Sequence, residues 1–203
     1  MLKSFKSGLK SRLRQFRRND EGTILMESVL MIPMLFAGVV ATWVFFDAFR
    51  NQAVNLKAAY TISDAVSRET NMITNTYVIN MWNMHRFLTD SPTLTRMRIS
   101  VIQYDEDNDE HIVVWSRAKG GGGDFDDGDL AQLGITSNDM PPMPDREVLI
   151  YVQTAVDYMP GFSIGMEGFT FQNSVFTRPR FSPNQVCYSP NGTYGGRVCP
   201  TGS

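Results

Sequence analysis

The sequence predicts an α+β fold: a long N-terminal helix, membrane-spanning in its first half and amphipathic in its second, packed on a small antiparallel sheet. Three observations carry that expectation. Residues Thr23 to Phe46 are uncharged apart from Glu27, no glycine or proline interrupts Val39 to Ser91, and four β-branched or aromatic segments follow, separated by Gly-, Pro- and Asp-rich stretches. A helical run followed by a run of strands segregates helix from sheet. With 203 residues, about 155 remain beyond the apolar run, enough for one domain.

Residues 1–22 read as a basic cytoplasmic leader. They hold Lys3, Lys6, Lys10, Arg12, Arg14, Arg17 and Arg18 against Asp20 and Glu21, leaving twelve of the nineteen basic and nineteen of the twenty-one acidic side chains for the rest of the chain. By the positive-inside rule the basic end stays in the cytoplasm and the acidic remainder faces outward. That acidity argues against a nucleic-acid partner. Leu2, Phe5, Leu9, Leu13 and Phe16 recur at spacings of three or four, so the leader, read mainly as an orientation signal, also fits an amphipathic arm for a membrane surface or a nucleic acid.

Residues 23–46 form the predicted transmembrane helix, and 24 residues suffice to span with some tilt. The run is long for a cleavable secretory signal, and Ala37 to Ala41 is a weak match to a cleavage site. No cysteine lies near it, which excludes a lipoprotein. Pro33 lies inside and should kink or loosen the helix. Glu27 is the anomaly. A charge near a bilayer centre is unfavourable by roughly 2.5–3.5 kcal/mol on insertion scales, so an ionisable residue there is a functional candidate.

From 47 to 90 the helical character continues. Phe49, Ala53, Leu56, Tyr60, Val66, Ile73, Tyr77, Met81, Met84 and Leu88 fall at spacings of three, four or seven, an amphipathic stripe. The helix runs from about Thr23 to Thr89, either continuous or broken near Asn71 to Asn75, and if continuous is on the order of 100 Å long. The stripe, with Met72 and Trp82, fits core packing against a sheet or a partner-binding face. Ser91-Pro92 ends it.

Residues 91–181 form the small β domain. Arg96 to Tyr104 and His111 to Ser116 read as a hairpin around the charged turn Asp105 to Glu110; Glu147 to Tyr158 and Phe169 to Thr177 are the third and fourth strands. Residues 119–129, KGGGGDFDDGD, read as an acidic Gly-rich linker. Residues 182–203 hold the only two cysteines, Cys187 and Cys199; in an oxidising compartment a disulfide between them would contribute roughly 3 kcal/mol, the alternative being two surface thiols.

Cleavage after Gly22 would free a positive α-amino group at Thr23, one helical turn from Glu27, the fifth residue of the new chain. A glycine before the cut leaves the backbone open to a protease. This motif resembles the prepilin signature of the type IV filament superfamily. Together with the long helix, the strand ending Tyr158-Met159-Pro160 and the closing Arg178-Pro179-Arg180-Phe181, the chain resembles the TadE/TadF-type minor pilins (pseudopilins) of the tight-adherence (Tad/Flp) pilus.

The resemblance implies a pilin-like fold, processing between Gly22 and Thr23 by a prepilin peptidase, and Glu27 as the assembly carboxylate that meets a neighbouring subunit's amino terminus. It also implies other minor pilins, the major Flp-type pilin, the inner-membrane assembly platform and membrane lipid as partners. The place would be a bacterial inner membrane, with the C-terminal domain periplasmic. Ser28 stands where major pilins carry an aromatic residue, which favours a minor component. Two other readings keep the topology: an uncleaved single-pass assembly factor, and a signal-anchored binding or hydrolytic domain.

Catalytic, metal and cofactor chemistry finds no motif. His85 and His111 sit on different elements and read as ordinary surface or half-buried histidines. Asp105, Asp107 and Asp109 alternate as in a calcium loop, but Glu110 replaces the turn glycine and Ser116 the bidentate glutamate; Asp124, Asp126, Asp127 and Asp129 fail similarly. Asn191-Gly192-Thr193 is a glycosylation sequon, incidental in a prokaryotic chain.

Overall fold

The computed structural model describes residues 21–91, 95–121, 130, 135–162, 167–181 and 186–201. The basic leader up to residue 20 and linker residues 122–129 lie outside them. The elements are α1 (Glu21–Ser67), α2 (Asn75–Thr89), β1 (Thr95–Asp105), β2 (Glu110–Lys119), a short 3-10 turn (Ser137–Asp139), β3 (Val148–Tyr158) and β4 (Phe169–Thr177). The architecture is α+β, with two compact units dividing between Asp47 and Ala48.

The first unit, in its described part, is the helix alone. Its large apolar side chains from Ile24 to Phe36 are each 59–75% exposed. A helix apolar on every side has no face suited to water and belongs in a protein interior or a membrane. This one is long and apolar enough to cross a bilayer. Pro33 lies within it. Having no N–H, it leaves the Val29 carbonyl without its intrahelical donor.

The second unit is a four-stranded antiparallel sheet in the order β2-β1-β3-β4, with helices on one face. The register runs Thr95↔Val156 to Gln103↔Val148 between β1 and β3, and Ile150↔Thr177 to Tyr158↔Phe169 between β3 and β4. Between β1 and β2 a bulge leaves Val114 extra, since Val101 faces Trp115 and Ile102 faces Val113. The extra residue lets Trp115 and Val113, two apart in sequence, serve opposite faces. Trp115 joins Ile62, Val66, Val78, Met97, Ile99, Val101, Val148, Ile150 and Val152 in the core beneath the helices. Val113 joins Ile102, Ile135, Met140 and Tyr151 on the other side.

The helical region breaks after Ser67, earlier than the Asn71 to Asn75 break weighed above, so it is not one continuous rod. No glycine or proline stops it. Instead Arg180 N–H takes the Ser67 carbonyl at 2.9 Å, and the Glu69 carboxylate accepts from the N–H groups of Thr70 and Asn71 at 3.1 and 3.0 Å. Ile73 then pairs with the C-terminal segment. Thr74 caps α2, its hydroxyl accepting from Tyr77 N–H at 3.1 Å. Asp90, left-handed at φ 45°, closes the helix with its N–H on the Arg86 carbonyl.

The amphipathic stripe is half corrected. Val66, Ile73, Tyr77, Met81 and Met84 do pack in the core. Leu56 and Tyr60 instead face outward, 37% and 58% exposed, while Asn55, Ala58, Ala59, Ile62 and Ser63 are buried. That inner face meets β4 through two hydrogen bonds: the Ser63 and Thr177 hydroxyls bond to each other, and Asn55 Nδ2 donates to the Phe171 carbonyl at 3.4 Å. β2 extends to Lys119, three residues beyond the Ser116 boundary expected for it.

Gly120 follows β2 at φ +87°, and a Cβ there would lie 2.0 Å from the Thr95 carbonyl oxygen and 2.7 Å from Trp82 Nε1. Trp82 Nε1 donates to that same carbonyl at 3.0 Å. Gly120→Ala should therefore lower stability by about 2 kcal/mol or more, a fall in Tm of roughly 4–8 °C for a chain this size. Thermal denaturation of the detergent-solubilised protein by circular dichroism measures it; an unchanged Tm would refute the assigned contact.

Candidate functional site

Gly22 and Thr23 lie in the first turn of α1, and Glu27 follows one turn later. In helical geometry positions 23 and 27 share one face. Among the described residues of the apolar stretch, Ser28 Oγ donates to the Ile24 carbonyl and Thr42 Oγ1 to the Gly38 carbonyl, each at 2.8 Å. Such back-bonding removes a hydroxyl's demand for water. Glu27 has no such route, because an ionised carboxylate only accepts and helical N–H groups are already taken. Exposed, and the sole ionisable side chain between Thr23 and Phe46, it makes no hydrogen bond or ion pair to the described residues.

The two cysteines form a disulfide, Cys187–Cys199. It is not a loop hung outside the domain. Ile73 N–H donates to the Cys187 carbonyl and Ser189 N–H to the Ile73 carbonyl, both at 2.9 Å, while Tyr188 and Val198 exchange two hydrogen bonds of 2.8 Å. Val186 and Tyr188 are core residues, and the Trp115 indole donates to the Val186 carbonyl at 2.8 Å. The disulfide thus ties the last described segment to the break between α1 and α2.

His85 departs from its expected setting. It is fully buried on α2, its Nε2 2.9 Å from Asn55 Oδ1 on α1. Burial among uncharged neighbours lowers its pKa to about 4. Sequence reasoning missed Asn55, a polar residue on what proves to be the buried face. His111 is partly buried, its pKa also lowered by burial, and it stacks on Tyr104 at 4.9 Å.

The Asp105–Glu110 turn is built by its own carboxylates. Asp105 accepts from Asp107 N–H and Asn108 Nδ2, and Asp109 from the Tyr104 hydroxyl at 2.8 Å. The Arg178-Pro179-Arg180 motif is likewise engaged inside the domain. Arg178 pairs with Glu147 at 2.8 Å and Arg180 with Asp64 at 2.9 Å.

On the sheet face away from the helices lies a cleft of about 620 Å³ that sequence reading did not anticipate. Arg96, Arg98, Tyr151, Gln153, Ser174 and Phe176 line it. Arg96 reaches Asp157 at 2.7 Å, Arg98 Nε donates to Gln153 Oε1, and Gln153 Nε2 donates to the Tyr151 hydroxyl oxygen at 2.8 Å. Burial depresses the Arg98 pKa, with the nearby Tyr151 opposing that shift. The signal available was the i, i+2 spacing of Arg96 and Arg98, which sets both on one face of a strand.

No family model, curated protein or solved structure matches this chain.

Two outcomes are expected. Cys187→Ser with Cys199→Ser should destabilise the second unit by about 3 kcal/mol, read as a lower urea midpoint; equal midpoints would show the bridge to be idle. For His85, the folded pKa lies below the unfolded value of 6.5, so its contribution is complete above pH 6.5 and is lost as pH falls towards 4, on the order of 3 kcal/mol in all. His85→Gln should flatten that part of the stability profile between pH 7 and 4. A wild-type profile parallel to that of the variant would contradict the buried neutral histidine.

Proposed function

We propose that this protein is a minor pilin or pseudopilin of a Tad/Flp-type pilus, processed between Gly22 and Thr23 and inserted through α1 into an inner-membrane assembly complex. One observation carries the reading: a single carboxylate, without a partner among the described residues, five residues after a glycine on a helix apolar all round. Two opposite charges brought together in lipid offset each other's desolvation, so the new amino terminus of a neighbouring subunit would both neutralise Glu27 and fix the axial register between helices. The α+β second unit fits a subunit of this kind, presenting its surface to other minor pilins while the apolar helix packs in the membrane.

The cleft supports a second reading, an anchored extracytoplasmic domain that binds a ligand. Its mixed polar and apolar walls suit a small polar molecule. That reading gives no role to Glu27.

Intact mass and N-terminal sequence of the protein from cells with and without the cognate prepilin peptidase test the first reading. A chain beginning at Thr23 only when the peptidase is present is expected, with Glu27→Ala still processed but defective in pilus assembly and surface attachment. An unprocessed chain in both strains would favour the retained assembly factor, and normal piliation by the Glu27→Ala strain would remove the assembly role.

A further inference from the structure

Strand register orders the sheet face away from the helices. Met97, Ile99 and Val101 point into the core beneath the helices, so Arg96, Arg98 and Ser100 occupy the other face of β1. Pairing across β3 and β4 sets three rows on that face: Ser100 with Tyr151 and Phe176, Arg98 with Gln153 and Ser174, and Arg96 with Ala155 and Gln172. Successive rows are about 7 Å apart, two strand residues on. The first row is closed over. Tyr151, 2% exposed, stacks on Phe176 at 4.6 Å and packs with Ile102, Ile135 and Met140. The other two rows form the floor of the cleft, where Gln172 and Ser174 are exposed and the small Ala155 leaves a depression between Arg96 and Gln172. The cleft therefore has an apolar end and a polar floor.

Two guanidinium groups stand side by side on that floor, each held by the neighbouring strands. Arg96 donates to Asp157 at 2.7 Å and to the Thr170 hydroxyl at 3.4 Å. Arg98 Nε donates to Gln153 Oε1, and Gln153 Nε2 donates to the Tyr151 hydroxyl oxygen at 2.8 Å, so a neutral amide sets the plane of the Arg98 fork. A guanidinium oriented before its ligand arrives loses less rotamer freedom on binding, and its fork matches the two oxygens of a carboxylate. Among the described residues the lining carries these two cations and one carboxylate, Asp139, which accepts from the Thr136 N–H and hydroxyl at 2.9 and 2.8 Å. That balance favours an anion. Burial works against the Arg98 charge, and an anion beside it replaces hydration that burial removes. The apolar end at Ile135 and Phe176 suits a carbon-rich flank rather than a small, fully hydrated ion, while Gln172 and Ser174 offer amide and hydroxyl partners.

We infer that the cleft binds a small organic acid, with its carboxylate beside Arg96 and Arg98, its carbon flank against Ile135 and Phe176, and its hydroxyl or amide groups towards Gln172 and Ser174. The inference rests on the reading of the second unit as a ligand-binding domain, whose ligand it assigns to a chemical class. It depends neither on processing at Gly22 nor on where α1 lies.

The test is calorimetric titration of the full chain in detergent with two carboxylates, glucuronate and N-acetylleucine, with their neutral counterparts glucose and N-acetylleucine amide, and with inorganic phosphate. Saturable binding of at least one carboxylate is expected, at least tenfold tighter than its neutral counterpart and than phosphate. Glucuronate alone would point to a sugar acid, N-acetylleucine alone to a peptide carboxyl terminus, and both to recognition of the carboxylate itself. Arg98→Gln should weaken that binding at least tenfold. Because Arg98 is half-buried, a second variant at an exposed position, Ser174→Trp, checks the site by filling its mouth and should abolish binding while the circular dichroism spectrum stays that of the wild type. A neutral counterpart or phosphate binding as tightly as the carboxylate would overturn the acid class and keep a ligand site in the cleft. Carboxylate binding unchanged in both variants would place it elsewhere and overturn the inference. No binding by any probe would overturn it and remove the support the cleft gives to the ligand-binding reading.

Discussion

The second unit depends on the pair of hydrogen bonds between Ile73 and the C-terminal segment. From Val39 to Ser91 nothing in the chain's own chemistry obliges the helix to stop, for neither glycine nor proline occurs there. The stop comes from outside: the Ser67 carbonyl is taken by Arg180, and both backbone groups of Ile73 by Cys187 and Ser189. Once Ile73 is held in an extended bridge, Thr74 is free to cap a new helix, and α2 can turn back along α1. Turning back brings His85 to Asn55 and Val78 to the sheet. Without that pinning the inner faces of both helices would have no common surface to bury.

This explains which parts were legible in the sequence. The four strands were, because Val, Ile and aromatic residues alternate and Gly, Pro or Asp punctuate them; β4 was placed residue for residue at Phe169–Thr177. The apolar stretch and its lone carboxylate were equally plain. The inner face of α1 was not. Periodicity weights large apolar residues, and here Leu56 and Tyr60 point away while the smaller Asn55, Ala58, Ala59 and Ser63 are buried. The break was weighed near Asn71 to Asn75, which the interruption between Ser67 and Asn75 overlaps, but its start at Ser67 was not legible, because the groups that hold it lie more than a hundred residues downstream. The cleft was missed for the same reason: Arg96 and Arg98 are adjacent on one strand, but Tyr151, Gln153 and Phe176 reach them only through sheet register.

Two polar groups sit on apolar surfaces of α1 and are treated in opposite ways. Asn55 is buried and answered, with His85 on one side and the Phe171 carbonyl on the other. Its neutral amide can be satisfied inside one chain. Glu27 has no partner among the described residues, in a stretch where the Ser28 and Thr42 hydroxyls bond back to their own helix. A buried polar group that is fully paired rigidifies the core around it. The difference separates the internal architecture of the second unit from the outward chemistry of the first.

The position of Val186, Tyr188 and the disulfide in the chain bears on when this architecture can exist. Ribosomes deliver residues in order, and a segment needed to end the first helix is made after both helices and all four strands. Until it arrives, the nascent helical region has no reason to fold back on itself, and the face of the sheet around Trp115 stays open. The face of the sheet around Trp115 therefore closes only when Val186 and Tyr188 are in place.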